Sequence, residues 1–229
     1  MDKELIRSNI ASAAADAAAH GAVLCAVIKT RSDEEVDFAV RECGVRVVGE
    51  NRVQELLAHY PTLVAAGADI HFIGHLQKNK VKYIVGKVST IESLDSVALA
   101  EEIERQVSKI GRKIDALIEI NIGREEQKSG IMPDELGAFL DELAHFEHIN
   151  VRGLMTVAPK CENIADYDKY FAETKTLYDE IFRKKRPDVA SPVLSMGMSD
   201  SYPAALRHGS TEIRLGTRIF GKRPDTPKK

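Results

Sequence analysis

Eight short apolar runs, each followed by a stretch with helical spacing, organise this chain. The runs are AVLCAVIKT (22–30), RVVGE (46–50), DIHFIG (69–74), STIES (89–93), DALIEIN (115–121), NVRGLMTV (150–157), PVLSMG (192–197) and EIRLGT (212–217). Their length and their β-branched content predict strands. Between them, apolar residues recur at intervals of three and four: Val36, Ala39, Val40 and Cys43; Val53, Leu56, Leu57 and Tyr60; Leu136, Phe139, Leu140 and Leu143; Tyr167, Tyr170, Phe171, Thr174, Leu177, Tyr178 and Ile181. That period predicts helices with one buried face. Ser32 ahead of Asp33-Glu34-Glu35 reads as an N-cap with acids in the first turn, and Pro133 suits a first helical position. The connection from Gln77 to Lys87 leaves room for only a short helix, whereas residues 3–19 predict a full alanine-rich helix before the first strand.

Strands alternating with helices imply a parallel sheet with right-handed crossovers. Eight such units in about 200 residues predict a closed (β/α)8 TIM-type barrel, since open doubly wound sheets usually carry five or six strands. No linker or composition shift divides the chain, so it reads as one domain, 1–229, with an N-terminal helix in 1–20 and a frayed tail from 223 to 229.

Composition narrows the function without naming it. The chain is 44% hydrophobic and 29% charged, with a net charge of −3 and a pI near 6.2, which speaks against a global nucleic-acid footprint. Arg183-Lys184-Lys185-Arg186 is the one basic run and reads as a helix C-terminus stopped by Pro187. No apolar run approaches bilayer length and the N-terminus has no compact apolar segment, so neither a membrane span nor a signal peptide is expected. Cys25, Cys43 and Cys161 are an odd set without a CxxC pair, and read as packing residues of a reduced, cytoplasmic protein.

In a barrel of this class the chemistry gathers at the C-terminal ends of the strands. Lys29 is the one lysine that terminates an apolar strand there. Desolvation at such a place lowers an ammonium's affinity for its proton and frees the amine to attack an aldehyde; the alternative is a lysine that reaches solvent or pairs with Glu50. After the seventh and eighth runs come SMGMS (195–199) and LGTRIFG (215–221). Small residues at these two loops are where barrels cup a phosphate, and Ser199, Gly216 and Thr217 carry the pattern. Arg214 shares a strand face with Gly216, which points it at the cup, at a ring nitrogen, or at Glu212 in a rim salt bridge. His71 and His75 flank a strand end and lack the HExxH pattern, so zinc is not expected. GMSDS is not a GxSxG elbow, and neither GxGxxG nor GxxxxGK[ST] occurs. Met155, Met196 and Met198 are packing residues, or line a flat ring.

AVIKT, GENRVQE, HFIGHLQKNK, IESLD, EINIGREEQKSG, RGLMT, LSMGMSDSYPAAL and GSTEIRLGTRIFG, in that order over residues 20–222, resemble the pyridoxal phosphate homeostasis protein family, small barrels related to the N-terminal domain of alanine racemase. The resemblance implies pyridoxal 5′-phosphate as cofactor, held as a Schiff base on Lys29. It further implies that Ser199, Gly216 and Thr217 hold the phosphate, that Arg214 lies beside the pyridine nitrogen, that Asn51 lies near the ring substituents, and that Met155 and Ser195 are ring neighbours. His71 and Gly74 belong to the matching third-run motif without an assigned contact. The chain departs from the family around the lysine, where Ile28 replaces a small polar residue and Thr30-Arg31-Ser32 lacks the usual proline.

A racemase needs an acid/base group on each face of its substrate, and alanine racemase draws its second from another domain's tyrosine. With the chain ending at residue 229 no such domain is expected, and Tyr202 is the one tyrosine near a strand-end loop. The leading expectation is a monomeric carrier that stores, buffers or delivers pyridoxal phosphate, with acceptor apo-enzymes as partners and with neither nucleic acid nor membrane. A racemase of limited activity and a cofactor-free lysine aldolase are the alternatives.

Overall fold

In the computed structural model, which describes residues 1–186 and 188–222, the eight strands close into one parallel barrel in chain order. They are β1 (Val23–Val27), β2 (Val47–Glu50), β3 (Asp69–Phe72), β4 (Thr90–Leu94), β5 (Ile114–Ile120), β6 (Ile149–Thr156), β7 (Val193–Ser195) and β8 (Glu212–Leu215). Closure is made by β1 on β8, with Val23 opposite Glu212 and Ala26 opposite Leu215, so the open-sheet alternative is excluded. The helices are α1 (Lys3–Ala19), α2 (Asp33–Asp37), α3 (Val53–Ala65), α4 (Val81–Ile84), α5 (Val97–Ser108), α6 (Leu136–Leu143), α7 (Asp168–Tyr178), α8 (Tyr202–Arg207) and α9 (Thr217–Phe220). No helix among the described residues is long and apolar enough to cross a membrane.

The strands divide their side chains by period two. Ala26, Val48, Ile70, Ile91, Ala116, Ile118, Leu154, Leu194, Ile213 and Leu215 point outward into one continuous apolar layer beneath the helices. The opposite parity fills the barrel, and there the sequence is unusually polar: Cys25, His71, Glu92, Ser195, Glu212 and Arg214 are all buried. Gly153 is required on this inner face, because a Cβ there would lie 1.7 Å from the carbonyl oxygen of Val193 on β7.

Local signals place the helices. Ile6, Ile10, Ala13 and Ala17 bury one stripe of α1, and Asp2 caps it by accepting from Leu5 N at 3.0 Å. Ser32 and Glu35 form a reciprocal capping box at α2. Residues 77–87 form only a 3₁₀ turn, Lys78–Lys80, and the single-turn α4. α7 continues into a π-helical turn, Asp179–Lys185, so its end is wider than an ideal helix. The basic run occupies that last turn as expected, with Arg183 on Asp179 and Lys185 on Glu180. Pro187 and the tail from 223 to 229 lie outside the described residues.

Several strands stop short of their apolar runs, β7 and β8 among them. β7 stops at Ser195 and β8 at Leu215, although the runs extend to 197 and 217. Gly197 takes φ 96°, and Gly216 becomes the N-cap of α9, so the last residues of both runs have already left the strand.

Candidate functional site at the barrel mouth

Lys29 lies two residues past β1, on the inward parity of Cys25 and Val27, in a tight turn closed by Arg31 N donating to Ile28 O at 3.0 Å. The turn needs a left-handed residue, and Thr30 supplies it at φ 64°. A β-branched residue there is strained. The turn is held from outside: Thr30 N donates to Glu55 Oε2 at 2.7 Å. Arg31, nearly buried, donates to Phe220 O at 3.3 Å and Gly221 O at 2.7 Å, and lies over the Phe220 ring. The lysine's turn is thereby tied to the far end of α9.

The near end of α9 is the candidate phosphate cup. Ser199 Oγ accepts from Arg218 N at 3.2 Å, which brings the β7 loop onto the first turn of α9 beside Gly216 and Thr217. Gly197 is dictated in that loop by its positive φ and because a Cβ would come within 2.6 Å of Ala205 Cβ. Gly216 packs against β1, its missing Cβ being 3.4 Å from Val27 O. So the turn that bears Lys29, the β7 loop that bears Ser199 and the start of α9 with Gly216 and Thr217 are neighbours at one corner of the mouth.

Asn51 enters from β2. Its backbone amide donates to Glu50 Oε1 at 2.7 Å, and its Oδ1 is buried without a hydrogen-bond partner. Gly74 must be glycine, because a Cβ would come within 2.3 Å of Asn51 O. Met155 on β6 is buried inside the barrel opposite Glu119 on β5 and Ser195 on β7.

Beneath these residues is a buried polar cluster. Arg214 Nη1 donates to Ser195 Oγ at 2.6 Å and Nη2 to Thr156 O at 2.8 Å. Ser195 Oγ also lies 2.7 Å from Glu92 Oε2 and 2.9 Å from Glu212 Oε1. His71 Nδ1 is 2.8 Å from Glu92 Oε1 and 3.5 Å from Glu212 Oε2. Burial favours the neutral form of each acid, but His71 and Arg214 outweigh it at Glu92 and hold that carboxyl low. Burial and the charge of Glu92 push Glu212 up to about 8. Burial opposes the charge of His71, and its hydrogen bonds to Asp69 and Glu92 raise its pKa well above the usual value regardless. At the mouth, burial and then Asp95 push Glu119 up to about 7, against the opposing charge of Arg214.

A family model described as alanine racemase, N-terminal domain, matches residues 1–224. The chain belongs to this family. Among its relatives, the pyridoxal phosphate homeostasis protein of Aquifex aeolicus is 43% identical over 202 residues, covering 87% of this chain and 88% of that protein. The crystal structure of an unknown protein from Bifidobacterium adolescentis aligns with a TM-score of 0.86 at 30% identity, covering 95% of each chain. PipY of Synechococcus elongatus, solved with PLP bound, aligns with a TM-score of 0.83 at 32% identity, covering 94% of this chain and 100% of that one.

Within the alanine racemase N-terminal domain barrel, some sequence expectations land elsewhere. The rim salt bridge between Arg214 and Glu212 is not formed: both are inside the barrel, and the carboxylate nearest Arg214 is Glu92, at 3.9 Å. Ser195 is fully buried in the polar cluster. Tyr202 donates to Asp16 Oδ2 of α1 at 2.9 Å, in the helical layer. His71 belongs to the cluster, while His75 is bound to Ser129 and Asp95 outside it. Glu92, Glu119 and Glu212 were missed as site residues, although period two from Arg214 already puts Glu212 on its face. A concavity of about 820 Å³ between α6 and the π turn, lined by Leu140, Ala144, Ile149 and Val189, lies at the opposite end of β6 from the mouth.

Proposed function

We propose that this protein binds pyridoxal 5′-phosphate, holds it as a Schiff base on Lys29, and serves to store, buffer or deliver it. The observation that carries the reading is the tie through Arg31: the turn bearing Lys29 and the loop bearing Ser199 are fastened to opposite ends of the same short helix. The cofactor brings an electrophilic aldehyde carbon and a phosphate dianion, and the mouth offers a group suited to each. Lys29 supplies the amine. Ser199, Gly216 and Thr217 supply a hydroxyl-lined, backbone-accessible cup at a helix N-terminus. The buried Oδ1 of Asn51 is an acceptor in want of a donor, which fits the phenolic edge of the ring. Arg214 stays charged at working pH and so would keep a facing pyridine nitrogen unprotonated. Met155 gives an apolar wall. PLP bound to PipY, at 32% identity across the whole of that chain, supports the same reading.

The test is direct. Purified protein mixed with pyridoxal phosphate should turn yellow, and borohydride reduction followed by peptide mapping should find the modification on Lys29. A colourless product, or modification that persists unchanged in Lys29→Ala, overturns it and reopens the cofactor-free aldolase.

A carrier is favoured over a racemase because the Tyr202 hydroxyl is engaged by Asp16 in the helical layer. Loaded protein should leave the optical activity of alanine unchanged over hours, while transferring cofactor to an apo-enzyme added in trace amount. Racemisation at enzymatic rates would reverse that preference. We further propose a cytoplasmic monomer, which sedimentation of the loaded protein would check.

A further inference from the structure

The hydroxyl of Ser195 has more close partners than it has hydrogens. Arg214 Nη1, Glu92 Oε2 and Glu212 Oε1 lie at 2.6, 2.7 and 2.9 Å from its oxygen. A hydroxyl offers one hydrogen and two acceptor positions. Arg214 only donates, so it takes one acceptor position, and the single hydrogen serves one carboxyl. The other carboxyl oxygen then faces a lone pair at hydrogen-bond distance, which is repulsive unless that carboxyl carries a proton. One of the two glutamates is therefore protonated. His71 selects which: its Nδ1 is 2.8 Å from Glu92 and 3.5 Å from the nearer oxygen of Glu212, and Arg214 is 3.9 Å from Glu92. The negative charge belongs on Glu92, and the proton on Glu212.

We propose that Glu212, carrying this proton, and Glu92, ionised against His71, are positioning residues that fix the direction of Arg214 and the net charge around it beneath the cofactor. The proposal rests on the cofactor reading above. Around Glu212 stand Cys25 from β1, Asp69 and His71 from β3, Glu92 from β4 and Arg214 from its own strand, with Glu119 of β5 acting on Arg214 from the mouth. With Glu212 neutral, one carboxylate faces two cations and the guanidinium keeps its positive field. Loss of the proton adds a second buried carboxylate that Ser195 cannot serve, and the two cations of the cluster, His71 at 3.5 Å and Arg214, are then divided between two carboxylates. The net charge beneath the mouth falls by one, and the positive field that the guanidinium presents to whatever lies above it weakens. The elevated pKa of Glu212, with desolvation as its first cause, puts this loss at about pH 8.

The test compares Glu212→Gln, whose amide still donates to Ser195, with Glu92→Gln. In cofactor-free protein carrying Glu119→Gln, which removes the other acid raised to about 7, infrared spectra at about pH 7 should show a protonated-carboxyl carbonyl band that is lost when Glu212→Gln is added. Glu212→Gln should bind pyridoxal phosphate at pH 7 within about twofold of the unaltered protein, and should lack the weakening that the unaltered protein shows on passing through about pH 8. Comparing the two proteins over the same pH range isolates the part of the transition that depends on Glu212. Glu92→Gln should bind about tenfold more weakly at pH 7, the order expected for losing one charge-assisted hydrogen bond. The proposal is overturned if the infrared band is missing, if it survives the added Glu212→Gln, or if Glu212→Gln alone keeps the same pH transition. If no cofactor binds to the unaltered protein, the cofactor reading fails, and the infrared result still decides where the proton is.

Discussion

Thr30 carries two local costs at once. Its φ of 64° is one that β-branched residues rarely adopt, and its hydroxyl is buried without a partner. Strain of this kind costs on the order of 1–3 kcal/mol, and an unsatisfied hydroxyl about as much again. Thr30→Gly should therefore raise the stability of the cofactor-free protein by about 1 kcal/mol, after the extra unfolded-chain entropy of glycine is subtracted. Urea denaturation would show it, and a loss of stability would mean the turn is not strained. At Gly197 the sign reverses, since any Cβ meets Ala205 and Tyr202 and the backbone is left-handed. Gly197→Ala should cost about 2 kcal/mol and weaken phosphate binding, measurable as lost affinity for inorganic phosphate.

At the level of elements, Arg31 is a fastener. It satisfies two carbonyls at the end of α9 and stacks on Phe220, with Glu35 3.6 Å away. Arg31→Met keeps much of the packing and removes the donors. It should weaken pyridoxal phosphate binding about tenfold while leaving the circular dichroism of the barrel intact, because an unpaired carbonyl frees α9 without unfolding a strand. α1 is secured differently, by its apolar stripe and by the bond from Tyr202 to Asp16. Tyr202→Phe should cost about 1 kcal/mol and leave cofactor binding unchanged. A large loss of binding would place Tyr202 in the site after all. The elements themselves were legible: alternation of apolar runs and helical stretches gave all eight strands, and α1 fell on the residues its alanine-rich composition predicted. Strand ends were less so, because Gly197 and Gly216 continue an apolar run in sequence while breaking it in backbone. The cluster of His71, Glu92 and Glu212 was hidden for a different reason. An acidic residue inside a strand reads as solvent-facing unless the strand's inner face is known to be polar, and that is a property of eight strands together.

For the whole molecule, the buried acids and His71 set how stability follows pH. Glu212 has a raised pKa in the folded state, so its contribution is complete below about pH 4.5 and is lost as pH rises toward 8. His71, also raised, contributes below about pH 6.5 and loses its contribution as pH climbs through its folded value. Glu92 runs the other way: its contribution is present above about pH 4.5 and lost as pH falls toward 2. The cofactor-free protein should be most stable in mildly acidic buffer and weaken steadily toward pH 8. Melting temperature scanned against pH would check this, and a maximum at pH 8 or above would contradict it.

The tie between Arg31 and the residues around Phe220 spans about 190 positions of sequence, and β1 finds its last neighbour only in β8. A ribosome adding about 5–20 residues each second needs roughly 10–40 s to travel that distance. Through that interval Lys29 already exists, yet the helix that would cradle an anion beside it has not been made. On the proposed reading, capture of the ligand needs β8 and α9 as well as β1, and a truncated product of interrupted translation carries Lys29 without the helix to which its turn is tied.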